Sequence, residues 1–146
     1  MTALIYAGIG ARRTPPKVLS DMRVMSKWLA RQGWRLATGG ADGADGAFIG
    51  GTPEDQRTLW LPWTGYNGHG GPNCRVLPVE AMAECMEVAA RLHPSWARCS
   101  PGARKLHARN VAILLGEQLN RPVDACIAWT NVAVQGMLRR VVQWPA

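Results

Sequence analysis

The chain has 146 residues, 47% of them hydrophobic and 18% charged, a balance that excludes a wholly disordered chain and is long enough for one domain with its own core. Its net charge is +7 with pI ≈ 9.9, and because only Lys17, Lys27 and Lys105 are lysines, arginine supplies the excess. Guanidinium groups pair in a plane with phosphate and carboxylate, so the charge points to an anionic partner, either nucleic acid or a phosphorylated small molecule. The start, "MTALIYAGIG", has no basic stretch ahead of a long apolar run, and no run reaches membrane-spanning length. A cytoplasmic protein with no membrane partner is expected. Cys74, Cys85, Cys99 and Cys126 show no C-x-x-C spacing, so neither a zinc site nor a redox pair is predicted.

"ALIYAGIG" (3–10) reads as a buried parallel strand ending in glycines. A helix follows, with Thr14 as N-cap, Pro15 at the first position and Gly33 closing it. Its apolar face is Val18, Met22, Met25 and Leu29. "WRLATGG" is a second strand, a brief helix is expected over 42–49, and "TLWLPW" (58–63) is a third strand. This β-α-β-α-β order predicts parallel strands joined by right-handed crossovers. "TGYNGHGGPNCRVLP" is a long glycine-rich loop of the kind that is either a functional lid or disordered. Residues 79–92 form a helix with a stripe of Val79, Met82, Met86 and Ala89, and "HPSW" breaks it. Ser100 caps another helix running to about residue 119, and "DACIAWT" (124–130) is a fourth strand. The tail, 131–146, fits helix and strand equally weakly. The expected fold class is α/β: a single domain with a Rossmann-like, mostly parallel sheet and helices on both faces.

The two glycine-rich strand ends are the candidate ligand site. "GIGARRTP" offers Gly8, Gly10, Arg12, Arg13 and Thr14, and "ATGGADGADGAF" offers Gly39, Gly40, Ala41, Gly43 and Asp45. Open α/β sheets bind ligands at the carboxyl edge of the strands, and a helix N-terminus with a guanidinium beside it clamps phosphate. Arg13 stands where a dinucleotide fingerprint has its third glycine, no acidic residue ends the second strand, and no P-loop is present. Asp42 alone reads as an N-cap. Asp45 repels phosphate but suits the helix dipole, so it either accepts from ribose hydroxyls or caps. In "GARKLHARN", Lys105 and Arg109 share one direction and His107 and Asn110 another. They form either a polar wall of the pocket or a solvated face. His107 has no acid–base partner visible in the sequence. Trp28, Trp60 and Trp129 read as core or its margin, and Trp63, Trp96 and Trp144 as surface. No catalytic residue, metal ligand or cofactor is assigned.

The paired loops, with "HP-W", "GARKLHARN" and the late "WT", resemble the SLOG superfamily, which unites DprA (Smf) recombination mediators with LOG-type nucleotide hydrolases. The similarity runs over about 3–130 and looks like a compact form found in phages and prophages. The resemblance implies a nucleotide-derived ligand over the two glycine loops and a homodimer. For a phage protein it also implies an anti-defence role, holding an ADP-ribose-like or cyclic-nucleotide signal. It leaves open a DprA-like binder of single-stranded DNA, and a hydrolase of nucleotide N-glycosidic or phosphoester bonds. Two departures bear on these readings. The LOG-type PGGxGTxxE motif is absent, which leans against an enzyme. The glycine-rich turn GGTGQA after "WT" is replaced by a tail with only Gly136.

Overall fold

The computed structural model describes residues 2–130 and the backbone of 141–143. The chain runs β1 (Ile5–Gly10), α1 (Pro16–Arg31), β2 (Arg35–Thr38), α2 (Ala44–Gly51), β3 (Arg57–Leu61), β4 (Cys74–Val76), α3 (Val79–Leu92), α4 (Pro101–Leu115), β5 (Ala125–Trp129) and β6 (Val141–Gln143). The strands form one sheet in the order β4-β3-β2-β1-β5-β6, and every neighbouring pair is parallel. The expected α/β class, a Rossmann-like parallel sheet, is what the chain adopts.

Alternation along the strands divides the core. Successive side chains point to opposite faces, so Tyr6 and Leu36 join Met22, Leu29 and Phe48 under α1 and α2, while Ala7 and Ala37 join Trp60, Cys85 and Ile113 under α3 and α4. Short apolar strands covered on both faces carry no polar alternation, and β1 and β2 have none. The register sets Ile5 to Ala7 beside Arg35 to Ala37. The Thr38 hydroxyl, fully buried, donates to Gly8 O at 2.7 Å and ties the two strand ends together.

Most predicted elements are present, with local corrections. Pro15 and not Thr14 precedes α1; the Thr14 hydroxyl donates to Ala11 O at 2.6 Å and closes the first loop instead. Gly33 does follow α1, at φ +86 with its N–H on Ala30 O. Gly43, at φ +80, precedes α2, and the Asp42 carboxylate accepts from Asn67 Nδ2 at 3.0 Å and not from its own helix. Ser100 caps α4 as expected, accepting from Ala103 N, but Gly116 at φ +79 ends that helix at Leu115. The stripe of α3 departs only at its start: Val79 is 83% exposed, while Met82, Met86 and Ala89 face the core together with the buried Cys85. Trp28 is exposed where core was expected, Trp63 is exposed as expected, and Trp96 is half-buried against the α3–α4 core. The long glycine-rich loop contains β4, which pairs Cys74, Arg75 and Val76 with Leu59, Trp60 and Leu61. The expectations for residues 131–140 and Trp144 lie outside the described residues. Among those described, no helix is long and apolar enough to cross a membrane.

The α1–α2 crossing depends on one missing methyl group. A Cβ at Gly51 would collide with Ser26 Oγ and the Arg23 carbonyl, whereas at Gly50 the nearest atom is Arg23 Nε at 3.5 Å. Gly51→Ala is expected to destabilise the fold by about 2 kcal/mol through overpacking, and Gly50→Ala to stabilise it by about 0.5 kcal/mol. Urea unfolding of the two variants measures both signs.

Candidate functional site

The sheet order reverses at β1. The chain moves from β1 through β2 and β3 to β4, then returns past β1 to place β5 on its far side. Carboxyl ends of strands at such a reversal open a crevice, because the connections leave in opposite directions. Here the crevice measures about 370 Å³, a volume in the range of small-molecule sites. Its walls are apolar (Ile9, Ile113, Leu114, Trp129) with Gly10, Asp45, Asn110 and Thr130 among them. Another cleft, of about 230 Å³, lies under α4 toward the amino ends of β1 and β2, lined in part by Ile5 and Arg35. That is the edge opposite to where open α/β sheets hold ligands.

A buried guanidinium sits beneath the second glycine loop. Arg109, on α4, is 4% exposed. Its Nη1 donates to Gly39 O and, at 3.0 Å, to Trp60 O, and its Nε donates to Asn110 Oδ1 at 3.0 Å. Its Cζ stands 5.4 Å from the centre of the Tyr66 ring. Burial pulls its pKa down while Asp45 and Tyr66 oppose that shift, and an arginine so placed keeps its charge. Because Nε is always a donor, it fixes Asn110 with Oδ1 toward Arg109 and leaves the amide N–H groups to other acceptors.

The glycines of "ATGGADGADGAF" answer mainly to neighbouring protein atoms. A Cβ on Gly39 would strike Arg109, and one on Gly40, at φ +74, would lie 2.8 Å from the His69 ring. A Cβ on Gly43 would strike the carbonyls of Ala11 and Arg12, so the two glycine loops touch backbone to backbone there. The first N–H of α2, from Ala44, already donates to Ala11 O at 3.4 Å. On the first loop, a Cβ at Gly8 would meet the Phe48 ring at 2.6 Å, and at Gly10 the Ala44 Cβ at 2.7 Å. Asp45 is buried and turns its Oδ2 back to accept from Ala41 N at 3.1 Å. Burial raises its pKa, against the lowering effect of Ala41, Arg109 and Gly39.

The predicted site residues other than Lys105 and Arg109 therefore fall into three groups. Gly10, Asp45 and Asn110 line the crevice together. Arg12 and Arg13 are exposed beyond its Gly10–Ala11 rim, with Arg12 Nη2 3.4 Å from the Tyr66 hydroxyl. Gly8, Thr14, Gly39, Gly40, Ala41 and Gly43 hold the loops in shape by the contacts given above. Lys105 and Arg109 do not share a direction: Lys105 is exposed, and Arg109 is drawn inward by two carbonyl acceptors. The residues that sequence reasoning missed are Tyr66, Asn67 and His69. They strap the long loop over Gly40, with Asn67 Nδ2 donating to Gly40 O at 3.0 Å. The expectation of a lid there was the available signal. His107 does have neighbours: His93 at 4.5 Å between ring centres, and Trp96 at 6.3 Å. Burial, then His93, lowers its pKa.

No family model matches the sequence, and no curated protein matches it. Among solved structures the chain is similar to DNA processing protein A from Helicobacter pylori, a protein described by its single-stranded DNA binding mode. The identity is 16% over 88% of this chain and 66% of that one, with a TM-score of 0.45. A likeness of that depth says nothing about function.

Asp45 makes stability pH-dependent in an unusual direction. Its pKa in the folded chain lies above the ordinary 3.8, so the folded state holds this proton more tightly than the unfolded state. Its contribution is greatest below pH 3.8 and declines as pH rises through the interval up to the folded value. The stability of wild type relative to Asp45→Asn is expected to fall across that interval and level off above it, as read from denaturant midpoints at several pH values. A difference that grows with pH would contradict the assignment.

Proposed function

We propose that this chain binds a phosphorylated, nucleotide-type small molecule in the crevice between the carboxyl ends of β1 and β5. The observation that carries the reading is convergence at the sheet's reversal point: apolar walls, a half-buried Trp129, an Asn110 amide oriented by Arg109, and the Asp45 carboxylate. An aromatic ring and aliphatic walls take a base, the amide donates to a base or ribose oxygen, and the carboxylate accepts from a ribose hydroxyl. Arg12 and Arg13, exposed on the loop that continues from Gly10 and Ala11 of the crevice, supply the cationic partner for phosphate. The resemblance of both glycine loops to the SLOG superfamily supports the same ligand class.

The reading favours holding over turnover, because α2, "ADGAFIGG", carries no glutamate to assist N-glycosidic cleavage. A phage-borne copy would then sequester a nucleotide signal of host defence. A homodimer is part of the same proposal. The net charge of +7 favours a second reading, in which single-stranded DNA is the partner.

Titration calorimetry with ADP-ribose, cyclic nucleotides and nucleoside phosphates tests the two readings. Micromolar or tighter binding to one of these is expected, weakened about tenfold by Asn110→Ala or Arg13→Ala and abolished by Leu114→Trp, which fills the crevice. Affinity for oligonucleotides that falls steeply with salt, and is untouched by Leu114→Trp, would instead support the DNA reading.

A further inference from the structure

The corner between α3 and α4 gathers three side chains that the crevice does not use as a set. His93 follows the last residue of α3, Cys99 follows a single 3-10 turn at Trp96–Arg98, and His107 stands in the second turn of α4. The two imidazole rings are 4.5 Å apart between centres. Cys99 Sγ lies 3.8 Å from His93 Nδ1 and 3.9 Å from His93 Nε2. One donor atom from each of the three residues falls within a mutual 4.8 Å.

We propose that His93, Cys99 and His107 form a binding site for a divalent transition metal of the zinc class, with a fourth position left to water or an external ligand. Two imidazole nitrogens and one thiolate are the donor set that zinc prefers over the hard cations. Tetrahedral zinc, with Zn–S of about 2.3 Å and Zn–N of about 2.0–2.1 Å, places its donors roughly 3.3–3.6 Å apart. Cys99 Sγ and His93 Nδ1, at 3.8 Å, are already near that spacing, and the whole set lies within 4.8 Å, so closing onto an ion calls for a tightening of about 1 Å at most.

Local contacts hold two of the ligands ready. Ser95 N donates to His93 Nδ1 at 3.1 Å, and the Cys99 thiol donates to Ser95 O at 3.6 Å. Metal binding replaces these weak contacts, and the thiol proton passes to solvent as the thiolate takes the ion. All three residues are partly exposed, so an ion has access. His93 and His107 also line a cleft of about 220 Å³ together with Asn110, which borders the β1–β5 crevice as well.

The sequence pattern H-x5-C-x7-H conceals the set, because the ligands meet only when the 3-10 turn folds Cys99 back toward His93. Zn²⁺ and Co²⁺ added to the full-length, metal-stripped protein are the probes. One equivalent is expected to bind with micromolar or tighter affinity, and Co²⁺ to show a thiolate charge-transfer band with tetrahedral d–d absorption. Cys99→Ser is expected to remove the charge-transfer band, and His107→Gln to weaken Zn²⁺ binding at least tenfold. Cys74→Ser is expected to change neither, and circular dichroism confirms that each variant is folded. Absence of stoichiometric binding, or binding that survives Cys99→Ser with His107→Gln unchanged, would overturn the proposal.

Discussion

The Arg109 guanidinium is the interaction on which the candidate site depends. It reaches from α4 to the carbonyls of Gly39 and Trp60, at the ends of two adjacent strands, and lies against the Tyr66 ring. A buried charge without partners is too costly to keep, so these acceptors have to be where they are. Gly39 must lack a side chain to admit the guanidinium. Asn110, next along α4, is oriented by the same group. The shape of the second glycine loop and the face that α4 turns toward the crevice are thus consequences of one side chain.

That arrangement changes the meaning of the glycines. A run such as "ATGGADGADGAF" invites a phosphate cradle, in which backbone N–H groups face an anion. Here Gly39, Gly40 and Gly43 admit Arg109, His69 and the carbonyls of the first loop, and the first N–H of α2 is engaged by Ala11 O. The glycines make it possible for two loops and a strap to pack closely. These contacts give the glycines a structural role at the candidate site.

What could be read from the sequence followed local rules. Apolar runs ending in glycine marked β1 and β2, the run ending at Pro62 marked β3, Ser100-Pro101 marked the start of α4, and the alternation of strands and helices implied a parallel sheet. What could not be read needed partners distant in the chain. Strand β4 is three residues long with Arg75 at its centre, and it exists only because β3 offers an edge. Arg109 and Lys105 read together as either a pocket wall or a solvated face, since helical spacing does not reveal which residue meets buried carbonyls. The His93–Cys99–His107 group lacked any recognised spacing. The crevice itself is a product of strand order, which no local pattern encodes.

Nucleotide binding in the β1–β5 crevice is the proposal that most needs a test. The most direct measurement is photo-crosslinking with an 8-azidoadenosine nucleotide, followed by peptide mapping. Labelling is expected within 9–13, 110–114 and 128–130, with competition by unmodified nucleotide. Labelling confined to the strap at 66–73 or to the amino-edge cleft, or labelling that unmodified nucleotide does not displace, would contradict it.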